Sequence, residues 1–72
     1  MPSGWKKIGS GQRIRYDNKT SPISIIVDED DIKGGWRVVK FGSHNNEIIK
    51  RTKTKPEAMK FAIKYMREHP RG

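Results

Sequence analysis

Apolar residues recur in two rhythms along this chain. Between residues 13 and 51 they alternate with polar ones in short runs, and between residues 58 and 66 they repeat at helical spacing. Arg13-Ile14-Arg15-Tyr16 alternates strictly, which places Ile14 and Tyr16 on one side and both arginines on the other. Asp17 to Pro22 reads as a turn built from Asx and proline chemistry. Ile23-Ser24-Ile25-Ile26-Val27 is β-branched and reads as a strand, with Ile23, Ile25 and Val27 sharing a face. Asp28 to Gly35 is a polar loop ending in two glycines. Trp36 to Phe41 is the next strand, in either of two phases: Trp36 and Val38 inward with Arg37, Val39 and Phe41 outward, or the reverse. Gly42 to Asn46 is a turn, and Glu47 to Arg51 pairs back as a hairpin. Residues 1–11 are ambiguous. Trp5 to Ile8 fits a short edge strand, and Gly9-Ser10-Gly11 fits a turn.

The C-terminal segment is a helix. Thr54-Lys55-Pro56-Glu57 fits a capping box, in which the Thr54 hydroxyl accepts from the Glu57 amide and Glu57 reaches back to the Thr54 amide. Pro56 in the first turn loses no helical hydrogen bond. Ala58, Met59, Phe61, Ala62, Ile63, Tyr65 and Met66 fall on one arc of about 200°, opposite Glu57, Lys60, Lys64, Arg67 and Glu68. The helix is expected to stop near Glu68, because His69 precedes Pro70 and that position disfavours the α conformation. Residues 69–72 form a short tail.

These elements predict a single α+β domain spanning residues 1–72. It is a three- or four-stranded antiparallel sheet with one C-terminal helix packed on one face, β-β-β-α, or ββββα if residues 5–8 join. The expected core is Ile14, Tyr16, Ile23, Ile25, Val27, Val38, Ala58, Phe61, Ala62, Tyr65 and Met66. One helix covers only one sheet face, so the other faces water or a ligand. In either phase of residues 36–41 that open face mixes an aromatic, an aliphatic and several cations.

Composition sharpens this picture. Only 32% of the 72 residues are hydrophobic, and 16 Lys and Arg oppose 8 Asp and Glu, for a net charge of +8. A domain this small buries only about 60% of the surface its unfolded chain exposes. A deep catalytic pocket is not expected, and the chain reads as non-enzymatic. Half of the acids stand together as Asp28-Glu29-Asp30-Asp31, which leaves 16 cations and 4 acids over the other 68 positions. The cations cluster as Lys6, Lys7, Arg13, Arg15 and Lys19, and as Lys50, Arg51, Lys53 and Lys55. Together with a pI near 10.1, this clustering is the electrostatic footprint of a nucleic-acid binder. Cations neutralise phosphates and an aromatic such as Phe41 can stack on bases.

A family resemblance enters at residues 35–66. The strand Gly35-Trp36-Arg37-Val38-Val39, the hairpin strand Ile48-Ile49-Lys50-Arg51 and the helix start Thr52-Lys53-Thr54-Lys55-Pro56-Glu57-Ala58 resemble the DNA-binding domains of tyrosine-integrase N-termini and plant AP2 factors. The resemblance implies a three-stranded sheet laid in the DNA major groove. It would give Arg13, Arg15, Arg37 and Lys40 the bases or phosphates, and Lys50, Arg51 and Lys53 the backbone. The acidic loop lies outside the pattern and would have to point away from DNA. The whole chain, down to Tyr65-Met66-Arg67-Glu68-His69-Pro70, also resembles small uncharacterised archaeal proteins, which imply no function.

Other chemistries are weaker. The absence of cysteine excludes disulfides, thiolate metal sites and Cys nucleophiles. Asp28 to Asp31 lacks calcium-loop spacing, since the twelfth position from Asp28 is Val39. His44 and His69 are the only histidines, neither has a His or Cys nearby to form a zinc site, and no cofactor is expected. Asn18-Lys19-Thr20 is a glycosylation sequon that matters only in a secreted chain. The longest purely apolar runs, such as Ile25-Ile26-Val27, are far too short for a membrane span. No h-region follows Met1, so the expected location is the cytoplasm. The reading is a small basic module that binds nucleic acid, DNA before RNA, through the open sheet face and the Lys50–Lys55 run. Its candidate residues are Lys6, Lys7, Arg13, Arg15, Arg37, Lys40, Phe41, Lys50, Arg51, Lys53 and Lys55. The alternative is a protein-interaction module or small homodimer using the same open face or an edge strand.

Overall fold

A computed structural model describes residues 3–9 and 11–72. Ser10, at the centre of the expected Gly9–Gly11 turn, lies outside them, as do Met1 and Pro2. Five strands, β1 (Trp5–Ile8), β2 (Arg13–Asn18), β3 (Ser24–Glu29), β4 (Trp36–Phe41) and β5 (Asn46–Thr52), precede one helix, α1 (Lys55–Glu68). The strands form one antiparallel sheet in the order β1-β2-β3-β4-β5. The α+β class is as expected. The expected three or four strands become five, because residues 5–8 join the sheet as an edge strand and the hairpin of residues 46–52 is a full strand at the other edge.

The register fixes the phase of β4. Ile25 pairs with Lys40, Val27 with Val38 and Glu29 with Trp36, so Trp36, Val38 and Lys40 face the helix. Arg37, Val39 and Phe41 face the other way. A register shift between Val38 and Val39 inserts Ile49 into β5. This bulge turns both Ile49 and Lys50 toward the helix side.

The core lies between the sheet and α1. It contains Trp5, Ile14, Tyr16, Ile25, Val27, Val38, Ala58, Ala62 and Met66. Trp5 was not expected there. It is enclosed because its indole Nε1–H donates to the His69 carbonyl, 3.0 Å away, where the tail closes over β1. Ile23, Phe61 and Tyr65, expected in the core, are half-buried at its margin. Tyr65 instead stacks on His69 with ring centroids 4.1 Å apart. Burial pushes the Tyr16 phenol above its usual pKa.

The helix begins and ends as expected, but its N-cap differs. The Thr54 hydroxyl donates to the Glu57 carboxylate at 2.9 Å and makes no cap hydrogen bond to the backbone. The β2–β3 turn is organised by Asn18, whose Oδ1 accepts the amides of Thr20 at 2.8 Å and Ser21 at 3.0 Å. Its Nδ2 donates to the Pro70 carbonyl at 3.1 Å. The sequon asparagine is therefore a buried structural hub.

Candidate nucleic-acid interface

The pairing register sorts the open face into three rows that run across the strands. One row is Arg13, Asp28, Arg37 and Arg51. The middle row is Ile8, Arg15, Ile26, Val39 and Ile48, and the third is Lys6, Asp17, Ser24, Phe41 and Asn46. Ile26 and Val39 are buried although α1 packs on the opposite side of the sheet, so the flanking side chains of their own face cover them.

Three of the expected arginines are engaged by carboxylates on this face. Arg15 Nε donates to Asp17 at 2.6 Å, and Asp17 also accepts from the Ser24 hydroxyl at 2.7 Å. These bonds, Arg15 first, hold the Asp17 carboxyl below its usual pKa. Arg37 donates to Asp28 from Nε at 2.7 Å and from Nη2 at 3.3 Å. This pairing raises the Arg37 pKa further. Arg51 donates to Asp30. Asp30 is itself buried and accepts the amides of Ile32 at 3.1 Å and Lys33 at 3.0 Å. Chiefly the Lys33 amide, and then those of Ile32 and the Arg51 guanidinium, hold Asp30 below the usual carboxylate range. The acidic segment thus does not point away from the open face as a unit. Asp28 stands on it and Asp30 anchors its edge. Arg13 is exposed and lines a shallow depression of about 220 Å³ with Arg37, Phe41 and Ile48.

The remaining expected cations lie elsewhere. Lys6 stands opposite Asp17 on the open face, while Lys7 stands opposite Tyr16 on the helix side of the edge strand. Lys40 sits over the Tyr65 ring at 5.9 Å, Lys50 over Phe61 at 5.8 Å and Lys55 over Trp36 at 5.7 Å. Each arrangement is a cation–π contact at the margin of the core. Lys55 Nζ also donates to the Gly11 carbonyl at 2.7 Å. Lys53 is exposed in the link between β5 and α1.

Reasoning from sequence left Lys60 and Lys64 out of the candidate set. One helical turn apart on α1, they line a groove of about 350 Å³ with Lys50, Thr52, Glu57 and Phe61. Their signal in the sequence is the four-residue spacing on the polar side of the helix, which puts both on one face. Among the described residues, every ion pair uses an arginine, and none of Lys50, Lys53, Lys60 or Lys64 has a carboxylate partner. No group of three or more His, Cys, Asp or Glu among the described residues is placed to hold a metal ion. Among the described residues, no helix is long and apolar enough to cross a membrane. Comparison with family models, with curated proteins and with solved structures found no match.

Proposed function

We propose that this protein is a binding module for nucleic acid, engaged chiefly through phosphates along the groove between β5 and α1. The observation that carries the reading is the segregation of its charge. Arg15, Arg37 and Arg51 on the open face are occupied by Asp17, Asp28 and Asp30, whereas Lys50, Lys60 and Lys64 line one groove together with Glu57 and form no ion pair among the described residues. Unpaired cations release counterions when they meet phosphates, while paired ones must first give up a partner. Of the surfaces suggested by sequence, the proposal rests on the Lys50–Lys55 run rather than on the open face, and it adds Lys60 and Lys64. Phe61, half-buried beneath Lys50, supplies an apolar floor against which a sugar or base can rest.

Four to five phosphate contacts give a log–log salt slope of about −4 for duplex and about −3 for single strands. The test is fluorescence anisotropy of the full chain with labelled DNA and RNA, in single and double strands, between about 50 and 200 mM salt. Binding that weakens with this slope supports the proposal. Absence of binding at the lower salt, or binding indifferent to salt, refutes it.

A further inference from the structure

The open sheet face carries the opposite signature from the groove. We infer that it is the contact surface of a twofold homodimer, two copies of this chain packed sheet against sheet.

Ile8, Ile26, Val39 and Ile48 draw an apolar line across the face, broken only by Arg15. Ile8 and Ile48 remain 43% and 41% exposed, and no element of the chain covers them. Charge is largely offset on the same face. Its five cations, Lys6, Arg13, Arg15, Arg37 and Arg51, stand against three carboxylates, Asp17, Asp28 and Asp30, which leaves +2 of the chain's +8. A chain of net charge +8 repels its copy over most of its surface. This face, where most cations are matched by carboxylates, is where a copy approaches at the least cost.

The rows also complement themselves under one symmetry. A twofold axis between two stacked sheets, crossing the strands at right angles, sets each strand over itself with its direction reversed. The apolar row then lies on its own copy, and the arginine row lies on the row of Asp17, Ser24, Phe41 and Asn46. Arg13 meets the copy's Asp17, Asp28 meets Ser24, Arg37 meets the Phe41 ring and Arg51 meets Asn46. An axis along the strands would instead set Asp28 on Asp28 and Arg13 on Arg37, like on like. The area fits a weak, reversible dimer. Six-residue strands of about 20 Å, five abreast over about 24 Å, give about 1,000 Å² in total for the pair, enough for a biological interface and below the roughly 1,200 Å² at which stable ones begin. Such a dimer leaves both helices outside, with their basic grooves on opposite sides.

Sedimentation equilibrium of the full chain without nucleic acid, over about 1–200 µM, is expected to show the mass rising from 8.3 kDa toward twice that value. Ile48→Glu should raise the dissociation constant at least about 30-fold. Because the chain contains no cysteine, Ile48→Cys reports the proposed symmetry directly. Residue 48 faces its own copy near the axis, so this variant should cross-link to itself on oxidation, whereas Lys64→Cys on the helix should not. If Ile48→Glu loses its circular-dichroism signature of folding, the two cysteine variants decide the matter. A mass that stays at 8.3 kDa throughout overturns the inference. So does an Ile48→Glu variant that associates like the parent, or cross-linking that is as fast through residue 64 as through residue 48. A monomer whose oligonucleotide binding disappears in Ile48→Glu also overturns it, by making the open face the nucleic-acid platform.

Discussion

Asn18 gathers more of the fold than any other single side chain. It is 8% exposed at the end of β2. Its Oδ1 accepts the amides and the hydroxyls of both Thr20 and Ser21, at 2.8 to 3.2 Å. Its Nδ2 holds the Pro70 carbonyl, next to the His69 carbonyl that binds Trp5. The side chain therefore links the β2–β3 turn to the C-terminal tail and, through the tail, to β1. Asn18→Ala removes the partner of two backbone amides and one backbone carbonyl. Each lost bond costs about 0.5–1.5 kcal/mol, and water reaches these surface groups in part, so the expected loss is about 2–3 kcal/mol. In a domain of this size that lowers the midpoint of thermal unfolding by roughly 10–20 °C. Asn18→Asp separates the two functions of the amide. It keeps the acceptor for the turn but replaces the donor to Pro70 with a second acceptor. It should cost less than alanine near pH 7, and the gap to the parent should narrow below about pH 4, where a protonated carboxyl donates again. Urea and thermal unfolding at one fixed chain concentration measure both. A loss below about 0.5 kcal/mol for Asn18→Ala refutes the hub. So does an aspartate variant that is as unstable as alanine at every pH.

Three further outcomes follow from the same structure. Replacing Lys50, Lys60 and Lys64 together by Ala should flatten the duplex salt slope by about 2.7, with the circular-dichroism spectrum unchanged, whereas replacing Arg15 and Arg37 should leave the slope unaltered. Gly35 has φ +78°, and a Cβ there would stand 2.5 Å from the Thr52 carbonyl oxygen, so Gly35→Ala should destabilise by about 2 kcal/mol or more in urea unfolding. Asp17 and Asp30 have folded-state pKa values below the usual 3.8, so the stability they contribute is complete above that pH and is lost as pH falls through the lowered values. The urea midpoint should therefore drop between pH 5 and pH 3 by more in the parent than in Asp30→Asn, and equal drops would refute that role for Asp30.

The elements legible in the sequence are those whose signals are local. The helix ends where His69 meets Pro70, and β2 alternates without a break from Arg13 to Tyr16. Trp5 escaped because its burial depends on a carbonyl 64 residues away and its four-residue strand has no alternation of its own. The phase of β4 escaped because Trp36-Arg37-Val38-Val39-Lys40-Phe41 is equally apolar in both readings. Only pairing with Ile25 and Val27 decides it. The partners of the arginines were hidden for the same reason. Asp28 and Arg37 are nine residues apart in the chain yet directly opposite in the sheet, and Asp30 reaches Arg51 only because β5 closes the far edge.

That pairing bears on what kind of recognition the chain can perform. A guanidinium reads a guanine through two parallel donors, and it cannot do so while the same donors are held by a carboxylate. Arg37 already forms a two-point contact with Asp28, and Arg15 and Arg51 are bound to Asp17 and Asp30. The cations around the groove are lysines, compact charges on flexible stems that meet a phosphate in many orientations. A surface built this way is suited to following a backbone rather than reading a base sequence. Binding by the groove should therefore differ by less than about tenfold between oligonucleotides of equal length and unrelated sequence, since a single well-read base pair is worth about 1–3 kcal/mol. Competition of unlabelled random and fixed sequences against one labelled duplex measures this. A sequence preferred a hundredfold would require base-reading donors, which on this chain means an arginine outside the three ion pairs, such as Arg13, or one released from its aspartate.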